Sequence, residues 1–492
     1  MSRPDQPLPS SAEAGSHGES SPALGLGGRL LRSTGAATFS QVWRFGVTLA
    51  THAILRKLVV PADWGLWHWA DTFLFLLLVQ VRDLGLSAQV VRDQRRPYGN
   101  FLAVELGWGA LLSAVVFFAS PLLALAYSDP DETTVAVVRA LCLFLMLEGL
   151  GRVPHIYFEA ELRIDRALVP ELVRNLCFAG LSIGLALGGY GVWSLVVAHI
   201  AASGVFAALL WIRALPTIEL RWIRGETWSL VRKSLPLMVM ALLLLAIDTI
   251  DIQVLSLRFS EAEIGMYGAA LTLALLMPRV VELPVRRALY PAFVAVRDDA
   301  KRFFETYHLA TILLMAVQVP FALFLFVNAE LLLVLYGSAE YAPAAPWLQL
   351  LCLIPLVQPF ARCAEDVILA RHEERVLIAA SLLTLASLVG FGLWFSGFAG
   401  PGGMAWAKLV PLGALLVTWS VWRVDPTGFG RLAAELVLLY ALPLPLFAAA
   451  WYLGATHPWL RLGLSIVAGL VAVWLYFRRW GRSFWTFFQA SG

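Results

Sequence analysis

The chain has 492 residues, of which 59% are hydrophobic and only 14% charged, with a formal net charge of +3. A soluble chain of this composition has too few polar side chains to cover its own surface, so the composition excludes a set of soluble domains. It indicates a polytopic membrane protein, and the small net charge carries no sign of nucleic-acid binding.

Residues 1–33 come first, a cytoplasmic tail whose stretch 1–26 is rich in Pro, Ser, Gly and acids without an apolar run. This reads as disordered rather than as a signal peptide, so the first apolar span is expected to direct insertion. Apolar runs bounded by charge, Gly or Pro then predict about fourteen transmembrane helices at 34–56, 65–85, 100–127, 135–158, 168–188, 190–212, 234–257, 264–289, 303–327, 344–369, 376–397, 403–422, 432–454 and 460–477. About 20 residues per crossing would consume about 280 residues, close to the apolar share. The cysteines Cys142, Cys177, Cys352 and Cys363 lie in apolar runs without CxxC spacing, which predicts packing residues and neither disulfides nor a metal site.

Placing the N-terminus in the cytoplasm puts 23 Lys and Arg residues in the inner connections and tails and 4 in the outer ones, namely Arg56, Lys57, Arg258 and Arg461. That asymmetry predicts an even number of spans with both termini cytoplasmic. The outer loops carry Asp129, Asp131, Glu132, Glu261 and Glu263 instead. No connection is long enough to fold as a domain.

The segments LVVPADWGLWHWA (58–70) and LRFSEAEIGMYGAA (257–270) align with an offset of 200. Gly65 and Gly265 correspond, each with an acid two positions before it (Asp63, Glu263) and an aromatic two positions after (Trp67, Tyr267). Spans one and seven run in the same direction, so the expected architecture is all-α, with two parallel six-helix lobes plus two C-terminal helices. The boundaries are 34–212 for the first lobe, 213–233 for a cytoplasmic inter-lobe loop, 234–422 for the second lobe and 423–492 for helices thirteen and fourteen with their tail. Alternating access would operate in the cleft between the lobes.

Six segments in order resemble a known family: RKLVVPADWGLWHWADTF and VRDLGLSAQVVR within 56–92, EAELRIDRALVPELV at 159–173, GGYGVWSLVVAHIAA at 188–202, ALYPAFVAVRDDAKRFFETY at 288–307 and LYGSAEYAPAAPWLQLLCLIPLVQP at 335–359. The chain resembles the Wzx or WzxC-like oligosaccharide flippases of the multidrug/oligosaccharidyl-lipid/polysaccharide exporter superfamily. It departs at Ala160-Glu161, where the family commonly has Gln-Arg. The resemblance implies a bacterial inner-membrane transporter that moves a polyprenyl-diphosphate-linked repeat unit during capsule, exopolysaccharide or O-antigen synthesis. Its partners would be membrane lipids, glycosyltransferases and a polymerase.

Ionisable residues inside spans are costly and normally face a protein interior or water. Arg44, Asp71, Arg82, Asp83, Glu105, Arg139, Glu148, Arg152 and Arg174 fall in the first half. Asp248, Asp251, Arg279, Glu282, Arg286, Arg287, Arg362, Glu365, Asp366, Lys408 and Glu435 fall in the second. Local pairs are expected at Arg82 with Asp83, Glu148 with Arg152 and Glu282 with Arg286. The arginines of both halves lie in the cytoplasmic portions of their spans, which suggests a cationic funnel. Guanidinium forks suit phosphate oxygens, so Arg44, Arg152, Arg279 and Arg362 are the candidate diphosphate contacts. Asp248 and Asp251 share one face of an apolar run and are the candidates for proton or sodium coupling, the alternative being that each pairs with an arginine.

Trp64, Trp67 and Trp69 read as an interfacial belt, His155 and His199 as core residues, and Pro278 with Pro284 as a break in span eight. A drug or metabolite exporter of the same superfamily is the competing transporter, and so many internal arginines disfavour cationic cargo. A membrane-embedded glycan polymerase or ligase would need a sizeable outer loop and a catalytic constellation. No GxSxG, HExxH or P-loop occurs, so neither enzyme chemistry nor a cofactor is expected.

Overall fold

The computed structural model describes residues 43–92, 97–127, 131–161, 163, 165–282, 285, 286, 293, 299–370, 374–422 and 426–491. The expected N-terminal tail, Pro284 and Arg287 lie outside these residues, as do parts of several inner connections. Every regular element among the described residues is helical. Ten helices are long and apolar enough to cross a membrane, or eleven if the bent pair Ala339–Leu351 and Ile354–Ile368 forms one span. The expected fourteen continuous spans are therefore not what the described residues form.

Of the spans not counted, residues 34–42 of the first lie outside the described residues, the tenth is the bent pair, and spans two and eight are broken. After α1 (43–58), span two is divided into α2 (Pro61–Trp67), a π-helical segment (His68–Phe75) and α3 (Leu76–Asp83). Leu84 and Gly85 then take left-handed conformations (φ 50° and 72°) and turn the chain into α4 (Leu86–Arg92). An alanine at Gly85 would place its Cβ 2.6 Å from the carbonyl oxygen of Ser234. Span eight is divided likewise into α10 (Glu261–Ala274) and a second π-helical segment, Pro278–Glu282. Wide π turns free backbone groups and re-aim side chains, and here one interrupts the corresponding span of each half, the second about seven to ten residues further along.

Continuous helices make up most of the rest: α5 (Tyr98–Ala124), α6 (Glu132–Ala160), α7 (Asp165–Leu187), α8 (Val192–Ala214) and α9 (Glu226–Ser256). After α10 come α11 (Ala300–Val327), α12 (Ala329–Tyr336), a short 3-10 segment (Ala339–Ala344), α13 (Ala345–Leu351) and α14 (Ile354–Ala370). The chain closes with α15 (Glu374–Ala399), α16 (Pro401–Leu409), α17 (Leu412–Trp422), α18 (Pro426–Ala441), α19 (Leu444–Leu453) and α20 (Pro458–Ser491). Several acids of the expected outer loops are helix caps: Asp131 accepts from the Thr134 amide at 2.6 Å, and Ser260 and Glu263 form a capping box. In the first half α6 packs between α5 and α8, with α7 against α8; in the second, α15 packs on α9, α16 and α17, and α11 on α14 and α20.

The two glycines aligned in the sequence are the point where the halves meet. A Cβ on Gly65 would sit 2.0 Å from the carbonyl oxygen of Glu261, and one on Gly265 would sit 2.0 Å from that of Pro61. Under the offset of 200, Pro61 corresponds to Glu261 and Gly65 to Gly265. The contact is thus reciprocal, the form that a two-fold relation produces. Glycine is required at both positions because α2 and α10 cross backbone to backbone.

The three tryptophans of span two do not form an interfacial belt. Trp64, Trp67 and Trp69 are 0%, 4% and 1% exposed and pack in the core beside this crossing. The indole of Trp69 donates to Gln253 Oε1 on α9 at 3.1 Å. The connection between α8 and α9 is also held by hydrogen bonds. Buried Asn100 donates to Ile223 O (2.9 Å) and Thr227 Oγ1 (2.7 Å), and its Oδ1 accepts from the Ile223 amide (2.8 Å).

Candidate functional site

The first π segment turns His68, Asp71 and Thr72 toward a cavity of about 450 Å³ enclosed by α1, span two, α6, α7 and α8. Arg44, His52, Glu148, Arg152, His155, Glu171, Arg174 and His199 also line it. Its polar groups are mostly paired. Arg174 meets Glu148 at 3.3 Å, His199 meets Asp71 at 3.5 Å and His155 meets Glu171 at 3.4 Å. Arg152 donates to Ser87 Oγ at 2.9 Å and lies 3.6 Å from Asp83, to which Ser87 also donates.

His155 and His199 are therefore cavity residues with carboxylate neighbours, a correction to their reading as core histidines. The funnel is also less uniformly cationic than the sequence suggests, because three carboxylates line the cavity beside its three arginines. Arg82 takes no part in it. Fully buried, it faces Glu105 at 3.3 Å rather than Asp83 and donates to Leu145 O at 2.9 Å, with Gly109 and Gly149 making room for it. Glu148 likewise pairs with Arg174 on α7, not with Arg152 one turn away.

The second half presents a second set of charges. Arg362 on α14 lies 3.1 Å from Glu365 and 3.7 Å from Asp248 on α9, whose side chain is 64% exposed. Arg286 makes a two-pronged contact with Asp366 (2.7 and 2.8 Å), and the expected contact to Glu282 is present but longer, at 3.9 Å. Gln318 donates to Glu282 at 3.0 Å.

Asp248 and Asp251 have different surroundings: Asp248 is exposed beside Arg362. Asp251 is fully buried, 2.7 Å from Lys408 Nζ on α16, and accepts from Tyr267 at 3.2 Å. Among the described residues neither meets an arginine of the other half.

Of the four candidate diphosphate contacts, Arg44 and Arg152 share the first cavity. Arg279 and Arg362 stand in the other half, both within electrostatic reach of Asp248. Arg279, in the second π segment, is solvent-exposed although protein surrounds it on most sides, and its field reaches His68. Among the described residues the candidate arginines thus divide into two sets, one in each half, and the field of Arg279 reaches His68 of the first cavity.

Sequence reading missed Arg56. Counted there as an outer-loop cation, it lies in α1, 1% exposed, with its guanidinium over Trp64 (4.3 Å), Tyr336 (5.2 Å) and Tyr341 (5.3 Å). The aromatic run after it in the sequence was the available signal. Glu171, His52 and His68 also line the cavity, and only the packing of α1, span two and α7 around it reveals them.

Comparison with known proteins bears on the same region. A family model described as polysaccharide biosynthesis protein matches residues 54–346, which contain α2, the cavity lining apart from its α1 residues, the glycine crossing and the second π segment. The chain belongs to this family. A curated relative, the succinoglycan biosynthesis transport protein ExoT of Rhizobium meliloti, is 25% identical over 344 residues, 65% of each chain. The match thus spans just under two thirds of that relative's length. Among solved structures, the lipid II flippase MurJ in an inward closed conformation superposes with a TM-score of 0.69 at 12% identity, covering 91% of this chain and 99% of MurJ. An inward-facing multidrug resistance MATE transporter of the MOP superfamily follows at 0.63 and 13% identity, covering 80% and 95%. At such identities these likenesses establish the fold of this family member, a polytopic helical one, and no more.

Proposed function

We propose that the protein is a flippase for polyprenyl-diphosphate-linked oligosaccharide repeat units, moving the head group between leaflets by alternating access without covalent chemistry. The observation that supports this reading is that candidate arginines stand in both halves: Arg44 and Arg152 line the cavity of the first half, and Arg279 and Arg362 lie near Asp248 in the second. A diphosphate offers several charged acceptor oxygens at once, and guanidinium forks from two sides match that geometry. The neighbouring carboxylates and histidines supply exchangeable partners, so each arginine has somewhere to return when the anion leaves.

In this reading the arginine-poor end of the bundle faces outward, both termini lie in the cytoplasm, and the membrane is the bacterial inner membrane. Residues 34–212 and 234–422 act as two lobes joined by 213–233, with 423–492 adding two flanking helices. Glycosyltransferases would supply the substrate on the inside, and a polymerase would consume it outside. Coupling to protons or sodium is assigned to Asp248, whose carboxylate is open. Asp251 already holds an ammonium group, so its part in coupling would run through Lys408.

The test is a liposome assay with a fluorescent lipid-linked oligosaccharide. The protein is expected to move it across the bilayer with its mass unchanged, and Arg44→Gln/Arg279→Gln/Arg362→Gln is expected to slow this at least about a hundredfold, a few kcal/mol of lost charge-assisted bonding. Normal transport by the triple variant would overturn the reading. A second reading, export of organic cations, draws on the three cavity carboxylates. It requires that a cationic dye move at a rate sensitive to Asp71→Asn and indifferent to the arginines.

A further inference from the structure

Arg56 is a fully buried cation for which the described residues provide no carboxylate. Its contacts come from both halves of the chain. NH1 donates to the carbonyl of Gly265 at 3.2 Å, the guanidinium stacks over Trp64, and Tyr336 and Tyr341 cover it from α12 and the 3-10 segment. Its Nε has no hydrogen-bond partner. The Gly265 carbonyl belongs to the helix crossing itself, so the side chain acts as a bolt through the place where α2 and α10 touch.

The remaining contact leads to the transport path. NH2 lies 3.0 Å from His68 Nε2. Arginine has no acceptor, so this nitrogen must be the acceptor of a neutral imidazole, with the ring proton on Nδ1 directed at Thr72 Oγ1, 3.4 Å away. His68 also lines the cavity, and Arg279 of the facing half reaches it electrostatically. Anything anionic that rises through the cavity to His68 is then one side chain from Arg56.

We propose that Arg56 is an anion-operated latch on the arginine-poor end and the last diphosphate contact on the path. Resting on the flippase reading above, the inference is that the empty protein keeps this end shut. It does so because part of what holds Arg56 belongs to the other half, one carbonyl and two ring faces, and is lost if the crossing parts. A diphosphate at His68 offers charged oxygens, which bind a guanidinium more strongly than a carbonyl or a ring does. Arg56 turns to it, the Gly265 bond is given up, and the crossing is free to part. Opening with the cavity empty would strand the cation without its cage, so empty excursions are disfavoured.

The test places a reporter cysteine at Thr48, a cavity-lining residue outside the proposed contacts, with the four native cysteines replaced by alanine. Right-side-out membrane vesicles are treated with a membrane-impermeant thiol reagent from outside. Arg56→Gln is expected to raise the labelling rate about tenfold or more, a shift worth 1.4 kcal/mol or above. Tyr336→Leu/Tyr341→Leu, which leaves Arg56 in place but removes its cage, is expected to do the same and serves if Arg56→Gln fails to fold. Inorganic diphosphate loaded into the vesicles should accelerate labelling with Arg56 present and have no effect in Arg56→Gln. Wild-type labelling rates in both variants would overturn the latch. Equal acceleration by diphosphate with and without Arg56 would overturn the anion-operated part. The readout involves no glycan, so a protein showing both effects yet moving no lipid-linked sugar would retire the flippase reading and leave the latch standing.

Discussion

Lys408 and Asp251 give the most quantitative prediction. Their charged atoms are 2.7 Å apart with side chains 11% and 0% exposed, so at an effective dielectric of about 20 they attract by about 6 kcal/mol. Most of that offsets the cost of taking both ions out of water, and the net worth of the pair is small. Removing one partner is different: Lys408→Met leaves the Asp251 carboxylate with only the Tyr267 hydroxyl, and about 3–5 kcal/mol of stability should be lost. Asp251→Asn alone, which strands the ammonium, should cost a similar amount. The double variant Lys408→Met/Asp251→Asn removes both charges and should return to within about 1–2 kcal/mol of the parent. Reversible unfolding of the purified protein in mixed micelles measures all four corners of the cycle. If the double variant loses the sum of the two single losses, the pair is uncoupled and the reasoning fails.

Further outcomes follow from other contacts. If Asp248 rather than Asp251 carries coupling, Asp248→Asn should abolish the gradient dependence of transport in liposomes, while Lys408→Met/Asp251→Asn should keep it. Gly65→Ala or Gly265→Ala must push α2 and α10 apart by more than 1 Å at a cost of about 1–3 kcal/mol, and thiol labelling at Thr48 from the arginine-poor side should rise accordingly. Asn100→Ala strands the Ile223 amide and carbonyl and should destabilise the protein by about 1–3 kcal/mol in the same unfolding assay, with the loop cleaved faster by protease. Arg82→Met leaves Glu105 buried without its cation and should lower stability by several kcal/mol. Arg82→Met/Glu105→Gln should recover most of it.

The sequence reading succeeded wherever a single stretch carried its own signal. Apolar runs located the helices because the bilayer length leaves few alternatives, and the glycines at 65 and 265 announced a close approach because only a backbone contact requires glycine twice at one offset. It failed where the partner is far along the chain. Arg56 resembles any loop cation until Tyr336 and Tyr341 are brought to it, and the span-two tryptophans resemble a belt until α10 covers them. The local pairing rule assigned Glu148 to Arg152 and Arg82 to Asp83, but in a bundle of crowded helices a neighbour on another helix lies as near as one a turn away. The π segments had no sequence signal beyond Pro278, and they decide which of His68, Asp71 and Arg279 face the interior.

The clamp at Asn100 has a mechanical consequence. It fixes the connection near Ile223 to the first half, and Gly225, with φ 77°, is the next joint before the 31 residues of α9 begin. At 1.5 Å per residue that helix is about 46 Å long, so a swing of about 10° around Gly225 would carry its far end, beside the glycine crossing, through about 8 Å. α9 is in this sense a lever with its fulcrum at Gly225, converting a small rotation there into a displacement at the opposite end larger than the diameter of a sugar ring.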